Sequence, residues 1–353
     1  MIILKHLRKL LFPIGILYGG VIFIRNRMFD WGILHQTSFT TPIIVVGNIT
    51  VGGTGKTPIT EYLIKHLQTH YKIALLSRGY GRKSKGAILA DSNANADIIG
   101  DEPFQIKSKF PSIDLCVAEK RVEGAQLLMP RNPQLIICDD AFQHRYLKPK
   151  VAIVVVDSNR PLWKDCYLPA GELRDSPKEI KRADIVVVSK CSNRFCLSDA
   201  QVFENKLKIS AKQKIFFSSI RYGVPVNLLD SKRALFTAKK VVALSGIAQP
   251  QPFFDYLEKT YSVVDKFIFP DHHNYTNTDL NEIAIRLQQE NEEIILLTTE
   301  KDAARLNIFP NFKYYSKIWY LPIEIEILFN EEMNFKALIE SYVATNNRDI
   351  GIS

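Results

Sequence analysis

The sequence lacks the features of a disulfide-stabilised, zinc-binding or repetitive protein. Its five cysteines are odd in number and include no CxxC pair, which argues against both a disulfide framework and a zinc site. There is no internal repeat and no low-complexity tract, and no A-x-A cleavage site marks the N-terminus as a signal peptide. These absences predict an ordinary globular protein of a reducing compartment.

Length and charge narrow the choice of partners. The 353 residues exceed the roughly 250–300 at which single cores stop growing, so we expect two lobes. The net charge of +9 predicts an anionic partner, which could be nucleic acid, phospholipid headgroups or a phosphorylated substrate. Because no motif combines aromatic and basic residues, we expect no nucleic-acid partner.

The N-terminus carries a long apolar run, residues 10–24, bracketed by lysines and arginines. As a helix it would reach about 22 Å, less than the roughly 30 Å hydrocarbon core of a bilayer. Pro13 and three glycines weaken a straight spanning helix further. We interpret the run as a helix lying in the membrane interface, with Trp31 near the boundary. A buried core helix and a single membrane span are the alternatives.

Short apolar runs separated by helical patterns predict an α/β fold. Runs rich in valine and isoleucine that do not alternate are typical of strands buried on both faces of a parallel sheet. They occupy 43–47, 73–77, 135–140, 151–157 and 184–190, and a second series occupies 239–246, 263–269 and 293–302. From the break near 219–238 we predict three units. These are an N-terminal helix (1–30), a core (31–220) and a smaller α/β lobe (221–353) whose end could pack back on the core.

The strongest chemical signal is a glycine-rich turn between the first strand and a helical pattern. Such a turn aims backbone N–H groups and a helix N-terminus at phosphate oxygens, as in P-loop NTPases. Lys56 would reach the terminal phosphates and the Thr57 hydroxyl would bind Mg²⁺. The predicted loop consists of Thr50, Val51, Gly52, Gly53, Thr54, Gly55, Lys56 and Thr57. It departs from the usual pattern at Thr50, where a glycine is expected.

Acidic residues follow the predicted strands. Asp139 and Asp140 end a buried strand, where a P-loop enzyme places the carboxylate that serves its metal, although a helix cap is the alternative. Asp101 and Glu102 precede a helical segment and, taken alone, would more often be caps.

Two arginines and two histidines are further candidates for ligand binding and general-base catalysis. Arg78 and Arg82 follow the second strand, at the sheet edge where open α/β sheets bind ligands, or they pair with surface carboxylates. In the segment 269–275, Asp271 next to His272 or His273 could form a general base.

Six ordered motifs then identify a resemblance: GNITVGGTGKTP, SRGYGR, GDEP, DDAFQH, LPAGELRD and PDHH. Together they resemble the tetraacyldisaccharide 4'-kinase family of lipid A biosynthesis over nearly the whole chain. The resemblance implies transfer of the ATP γ-phosphate to the 4'-hydroxyl of a tetraacylated glucosamine disaccharide 1-phosphate, with ATP and Mg²⁺ as cofactors. It also implies a peripheral or monotopic enzyme, expected to be a monomer, on the anionic cytoplasmic surface of the bacterial inner membrane.

The resemblance also implies roles for individual residues. Lys56 and Thr57 would hold phosphate and metal, with Glu102 and Asp139 as further acidic groups around the metal. Asp101 resembles the catalytic aspartate that works with a histidine, His272 rather than His273, to deprotonate the sugar hydroxyl.

Two residues complete the implied site. Arg174 resembles an active-site arginine, and if Asp101 and the histidine do not form the base, Asp139 or Asp140 is the next candidate. Ala141 departs from the glycine expected after the paired aspartates. Lys301 and Asp302 also lie in a family-like segment, where they could touch the nucleobase or pair on the surface.

Two other classes remain open from the residues themselves. A membrane-associated P-loop GTPase or ATPase would hydrolyse nucleotide without lipid. A nonenzymatic nucleic-acid binder would leave the P-loop unexplained.

Overall fold

The computed structural model describes residue 8 and residues 10–91, 93–229, 236–271, 273–288 and 294–349, with side chains to residue 344. Within these residues, two mostly parallel sheets flanked by helices form two lobes, which confirms the α/β prediction. Each predicted run contains a strand, although the strand within 293–302 ends at Thr299, where a helix follows. Most of these strands are apolar and buried on both faces, whereas the edge strand at 262–268 is only partly buried.

The first lobe is built on a nine-stranded sheet in the part of the chain that the structure describes, ordered β14-β8-β7-β6-β1-β5-β2-β4-β3. Its strands are β1 (Ile43–Gly47), β2 (Ile73–Ser77), β3 (Ile88–Leu89), β4 (Asp114–Val117), β5 (Leu135–Asp139), β6 (Val151–Asp157), β7 (Ile185–Ser189), β8 (Lys214–Tyr222) and β14 (Ile323–Ile327). Its helices are α1 (Phe12–Asp30), α2 (Lys56–Leu67), α3 (Ala96–Ile99), α4 (Asp101–Lys109), α5 (Arg121–Leu128), α6 (Leu197–Leu207) and α10 (Glu332–Asp349).

The position of β1 fixes where chemistry can occur. It lies between β5 and β6, paired in parallel with both, and residues along it are buried alternately in two different cores. Parallel strands place their carboxyl ends at one edge of the sheet. The segments that follow β1, β5, β6 and β7 therefore converge there, where open α/β sheets bind ligands.

The second lobe is a five-stranded sheet in the described residues, ordered β11-β10-β12-β13-β9. Its strands are β9 (Val226–Asn227), β10 (Lys240–Ser245), β11 (Ser262–Ile268), β12 (Ile295–Thr299) and β13 (Ile318–Leu321), and its helices are α7 (Gln251–Thr260), α8 (Asn277–Gln288) and α9 (Glu300–Leu306). Strands β8 and β9 extend into the region 219–238 that the sequence indicated as a break.

After the second lobe the chain returns to the first. Strand β14 pairs antiparallel with β8 along the edge of the large sheet. Helix α10 then buries Phe335, Ile339 and Val343 in the core that also contains Ile44 of β1. The first sheet is thus completed by residues from the end of the chain.

Helix α1 begins and ends later than the predicted 10–24, and it packs by one face on the first lobe. Gly15 and Gly19 are buried, and a Cβ at Gly19 would lie 2.7 Å from the ring of Tyr167. Near its C-terminus Asn26 donates to Asp175 at 2.8 Å, which explains the extra turns. Among the described residues, none of the helices has both the length and the apolar character needed to cross a membrane.

Charged groups join the lobes beside the site. The Lys109 ammonium contacts Glu61 of α2 at 2.6 Å and Glu300 of α9 at 3.0 Å. Burial opposes its charge, but the two carboxylates outweigh that effect and raise the Lys109 pKa. Burial raises the pKa of Glu61 to about 7, although Lys109 opposes the shift. Two buried carboxylates therefore share one cation across the lobe boundary.

Candidate functional site

The glycine-rich loop links β1 to α2 as the sequence predicts. Gly52 and Gly55 adopt φ values of 87° and 88°, a region that favours glycine, and α2 begins immediately at Lys56. The Val51 N–H donates to the Glu172 carbonyl at 2.7 Å. The Asn48 amide donates to the Thr54 hydroxyl at 3.0 Å. The loop is thus shaped by glycines and fixed by one backbone and one side-chain hydrogen bond.

Asp140 is the centre of a charged cluster at the mouth of this loop. Arg174 binds it through two hydrogen bonds, at 2.7 and 3.2 Å, and the Lys56 ammonium lies 3.6 Å away. Arg174 also donates to the Asn48 side chain, which ties the cluster to the loop. Burial would raise the pKa of Asp140, but Lys56 and Arg174 outweigh it and hold that pKa well below its usual range. Asp140 is therefore ionised and already paired.

Asp139 has a different environment one residue earlier. It is 5% exposed at the end of β5 and accepts a hydrogen bond of 3.0 Å from Thr60 of α2. Burial raises the pKa of Asp139 to about 6, and the negative charges of Asp140 and Glu102 act in the same direction. The positive charge of Lys56 opposes this rise. A buried carboxylate among other carboxylates needs a cation to stay ionised.

Asp101 and Glu102 form the first turn of α4, and both are paired with the second lobe. Arg305 of α9 contacts Asp101 through Nη2 at 3.1 Å and Nε at 3.2 Å. Lys301 contacts Glu102 at 2.9 Å. The two acidic residues therefore lie where the lobes meet, at a helix N-terminus that also favours negative charge.

Of the two neighbouring histidines, only His273 is among the described residues. His272 lies outside the described residues, so its predicted meeting with Asp101 stays a prediction. His273 stacks on Phe269 with ring centroids 4.5 Å apart, and its Nε2 lies 3.0 Å from Asp279. His273 thus has a local structural role within the second lobe.

Lys301 and Asp302 have separate environments. Lys301 reaches across to Glu102, whereas Asp302 is fully buried and accepts hydrogen bonds from the Gly246 N–H and the Tyr275 hydroxyl, both at 2.9 Å. Asp302 also contacts Arg305 at 3.2 Å and so orients the guanidinium that binds Asp101.

The predicted magnesium ligands Thr57, Glu102 and Asp139 suit the ion chemically. They offer one hydroxyl and two carboxylates, and the charge of Glu102 contributes to the raised pKa of Asp139. Within the described ranges, no group of three or more His, Cys, Asp and Glu residues could hold a metal by itself. That pattern fits Mg²⁺, which takes one or two carboxylates and completes its shell with water and substrate phosphates.

The basic residues after β2 divide into two kinds. Arg82 pairs with Glu119 at 2.5 Å, which matches the surface alternative. Arg78 is exposed. Burial, the Arg121 charge and the Arg78 charge together lower the pKa of His144 to about 4. The edge of the sheet beside Asp140 is therefore electropositive, and His144 is neutral there at physiological pH.

Several residues at the site carry no motif that sequence reasoning could use. Arg121 is 2% exposed, and its Nη2 donates to the Asp140 carbonyl at 3.3 Å. Thr60, one turn into α2, contacts Asp139, and Arg305 contacts Asp101. Asn48 stands next to the loop and offered the one available signal, a polar residue directly after a buried strand.

Comparisons with known proteins identify the family to which the chain is similar. A family model described as tetraacyldisaccharide-1-P 4'-kinase matches residues 7–344. Relatives named tetraacyldisaccharide 4'-kinase include one from Bacteroides thetaiotaomicron, 40% identical over 98% of this chain and 96% of its own length. Another, from Flavobacterium johnsoniae, is 43% identical over 96% of this chain and 98% of its own length.

A solved structure is similar as well. The crystal structure of an "apo" form of LpxK from Aquifex aeolicus in complex with ATP superposes with a TM-score of 0.77 at 30% identity. The match covers 96% of this chain and 99% of that one.

Proposed function

The chain belongs to the tetraacyldisaccharide-1-P 4'-kinase family, and from that premise we propose that it phosphorylates the 4'-hydroxyl of a tetraacylated glucosamine disaccharide 1-phosphate, forming lipid IVA. The phosphoryl donor is ATP and the cofactor is Mg²⁺. The observation that carries the proposal is the pre-formed loop with Lys56 at its end, beside Asp140 and Arg174. Phosphoryl transfer needs positioning and charge neutralisation, which this cluster provides.

One set of residues binds the phosphoryl donor, ATP, together with its metal. The loop from Thr50 to Thr57 binds the phosphates through backbone N–H groups, and Lys56 contacts the terminal phosphates. Thr57, Asp139 and Glu102 would hold the metal, which would neutralise charge on the phosphates. Arg174 is positioned by Asp140 to meet the transferring phosphate or the substrate.

The acceptor hydroxyl needs a base. Asp101 supports the His272 imidazole, which takes the proton of the 4'-hydroxyl as its oxygen attacks the γ-phosphorus and ADP leaves. In the described structure Asp101 is paired with Arg305, so this carboxylate is oriented at the lobe boundary. Asp140, already bound by Arg174, is the less suitable base.

Helix α1 is the proposed membrane contact. Leu10, Ile14, Leu17, Val21 and Ile24 recur at helical spacing and are each 52–76% exposed. An exposed apolar stripe on a basic protein suits the interface of an anionic membrane. On the same helix, the Tyr18 hydroxyl donates to the Arg174 carbonyl at 3.0 Å. Helix α1 therefore carries the proposed membrane contact and also contacts the backbone of a site residue.

This placement agrees with the remaining proposals. They are a monomeric, peripheral or monotopic enzyme at the cytoplasmic face of the inner membrane, with a core at 31–220 and a smaller lobe that begins near residue 221, the end of the chain packing back on the core through β14 and α10.

The test is turnover of the purified protein with Mg²⁺ and ATP, with and without the lipid disaccharide. We expect lipid-dependent ADP release and a phosphorylated lipid, and we expect Lys56→Ala to abolish both while Lys65→Met, on the exposed far end of α2, retains them. Equal ATP hydrolysis with and without lipid would instead indicate a nucleotide-driven switch, and near-normal turnover by Lys56→Ala would contradict the loop's assignment.

A further inference from the structure

Two residues that belong to none of the six motifs, Ser189 and Lys190 at the end of β7, donate hydrogen bonds to backbone carbonyls of the glycine-rich loop. The Ser189 hydroxyl donates to the Thr54 carbonyl at 2.6 Å, and this contact is buried. The Lys190 ammonium donates to the Gly53 carbonyl. Two successive loop carbonyls are therefore bound by side chains from a strand that lies two positions away from β1 in the sheet.

A phosphate-binding loop creates a requirement for such donors. Its N–H groups must point at the anion, so the carbonyls of the same peptide units point away from it. Those carbonyls need hydrogen-bond partners on the far side, because a buried carbonyl without one costs free energy. Ser189 meets that requirement at the buried Thr54 carbonyl, and Lys190 fixes the direction of the more exposed Gly53 carbonyl beside it.

Lys190 is itself held in place. Its ammonium contacts Asp157 at 2.8 Å, and Asp157 is only 2% exposed. Its backbone adopts φ 57°, and its carbonyl accepts a hydrogen bond of 2.8 Å from Ser158. A lysine with both its backbone and its ammonium fixed is preorganised, unlike a surface lysine that samples many rotamers.

We propose that Ser189 and Lys190 are positioning residues for nucleotide binding, which act by holding the Thr54 and Gly53 carbonyls away from the side of the loop that binds the phosphates of ATP. They touch no reacting atom in this arrangement. The inference rests on the proposed function, because it assumes that the loop binds the nucleotide. It predicts an effect on ATP affinity that is separate from any effect on lipid binding.

Lys190→Met removes the donor but keeps the length of the side chain. Since a hydrogen bond from a charged group contributes the equivalent of about tenfold to a hundredfold in binding, the Kd for Mg-ATP should rise by about that factor. The KM for lipid should change little. Lys190→Arg keeps a donor and should remain within about threefold of wild type. Lys65→Met is the matched control, since Lys65 pairs with an exposed carboxylate far from the loop.

One structural alternative must be separated from positioning. Lys190→Met also leaves Asp157 without its lysine, which could weaken the fold and lower ATP affinity indirectly. The double variant Asp157→Asn, Lys190→Met removes that buried charge. We expect it to recover thermal stability while ATP binding stays weak. Recovery of both together, or a Lys190→Met Kd within twofold of wild type, would overturn the proposal.

The readout also distinguishes this inference from the proposed function. ATP affinity is measured by calorimetry without lipid, so a failure of lipid phosphorylation in the wild-type protein would leave the affinity comparison interpretable. Conversely, if the wild-type protein phosphorylates the lipid and Lys190→Met binds ATP as tightly as the wild type, only the positioning role is refuted.

Discussion

Replacing Glu61 by glutamine should stabilise the protein at alkaline pH. Glu61 is 5% exposed and shares the Lys109 ammonium with Glu300. Burial raises its pKa from 4.5 to about 7, so the folded state binds this proton more tightly than the unfolded chain does. The resulting stabilisation is present in full below pH 4.5 and is lost as the pH rises through about 7. The shift corresponds to about 3 kcal/mol.

The glutamine variant keeps the shape of the side chain and can still bond to Gln105, which donates to Glu61 at 2.8 Å. Its unfolding free energy should lie within about 1 kcal/mol of the wild-type value near pH 5. It should exceed the wild-type value by up to about 3 kcal/mol near pH 8.5. Urea unfolding of the nucleotide-free protein, followed by tryptophan fluorescence at several pH values, measures this difference.

Glu324→Gln is the matched control for that experiment. Glu324 also pairs with a lysine, Lys65, but its carboxylate is 55% exposed and its pKa is lowered, first by the hydrogen bond from Lys65. Removing its charge should therefore not stabilise the protein at alkaline pH. A difference between Glu61→Gln and wild type that stays constant from pH 5 to 8.5 would refute the reasoning.

Two further predictions concern the reaction and the membrane. Asp101→Ala and His272→Ala should each lower kcat by about 10²–10⁴-fold with ATP affinity retained, and the double variant should be little worse than the poorer single one. His273→Ala should affect stability more than kcat. If His273→Ala lowers kcat while His272→Ala does not, the base is His273 and not His272. Leu17→Ser with Val21→Ser should reduce sedimentation with anionic vesicles but not ATP binding, and unchanged sedimentation would contradict the interfacial role of α1.

The sequence predicted the strands well because burial on both faces leaves a direct mark on composition. Runs such as 151–157 contain almost nothing but apolar residues, and both the strand and its parallel pairing follow from that pattern. The return of the chain was harder to predict. Strand β14 reads IEIEI, an alternation typical of a half-exposed strand, and nothing in it specifies pairing with β8 rather than within the second lobe.

The site was predicted where chemistry demands a local pattern and was missed where partners are distant in sequence. A phosphate loop requires glycines and a lysine at fixed spacing, so residues 50–57 could be identified directly. The ion pairs of Asp101 with Arg305 and of Glu102 with Lys301 span about two hundred positions. Their partners are ordinary charged residues on a helix, and only the docking of the lobes brings them together. Arg121 and Lys190 are likewise ordinary charged residues, and only the fold of the first lobe brings Arg121 to the Asp140 carbonyl and Lys190 to the Gly53 carbonyl.

The late return of the chain to the first sheet has a consequence for biosynthesis. As the protein leaves the ribosome, β1 to β8 emerge first, but β8 keeps an open edge until β14 arrives about a hundred residues later. Phe335 and Ile339, which are fully buried in the same core, come later still. An uncovered edge strand can pair with other chains, so the nascent nucleotide-binding lobe is exposed to aggregation until the second lobe and β14 have been synthesised.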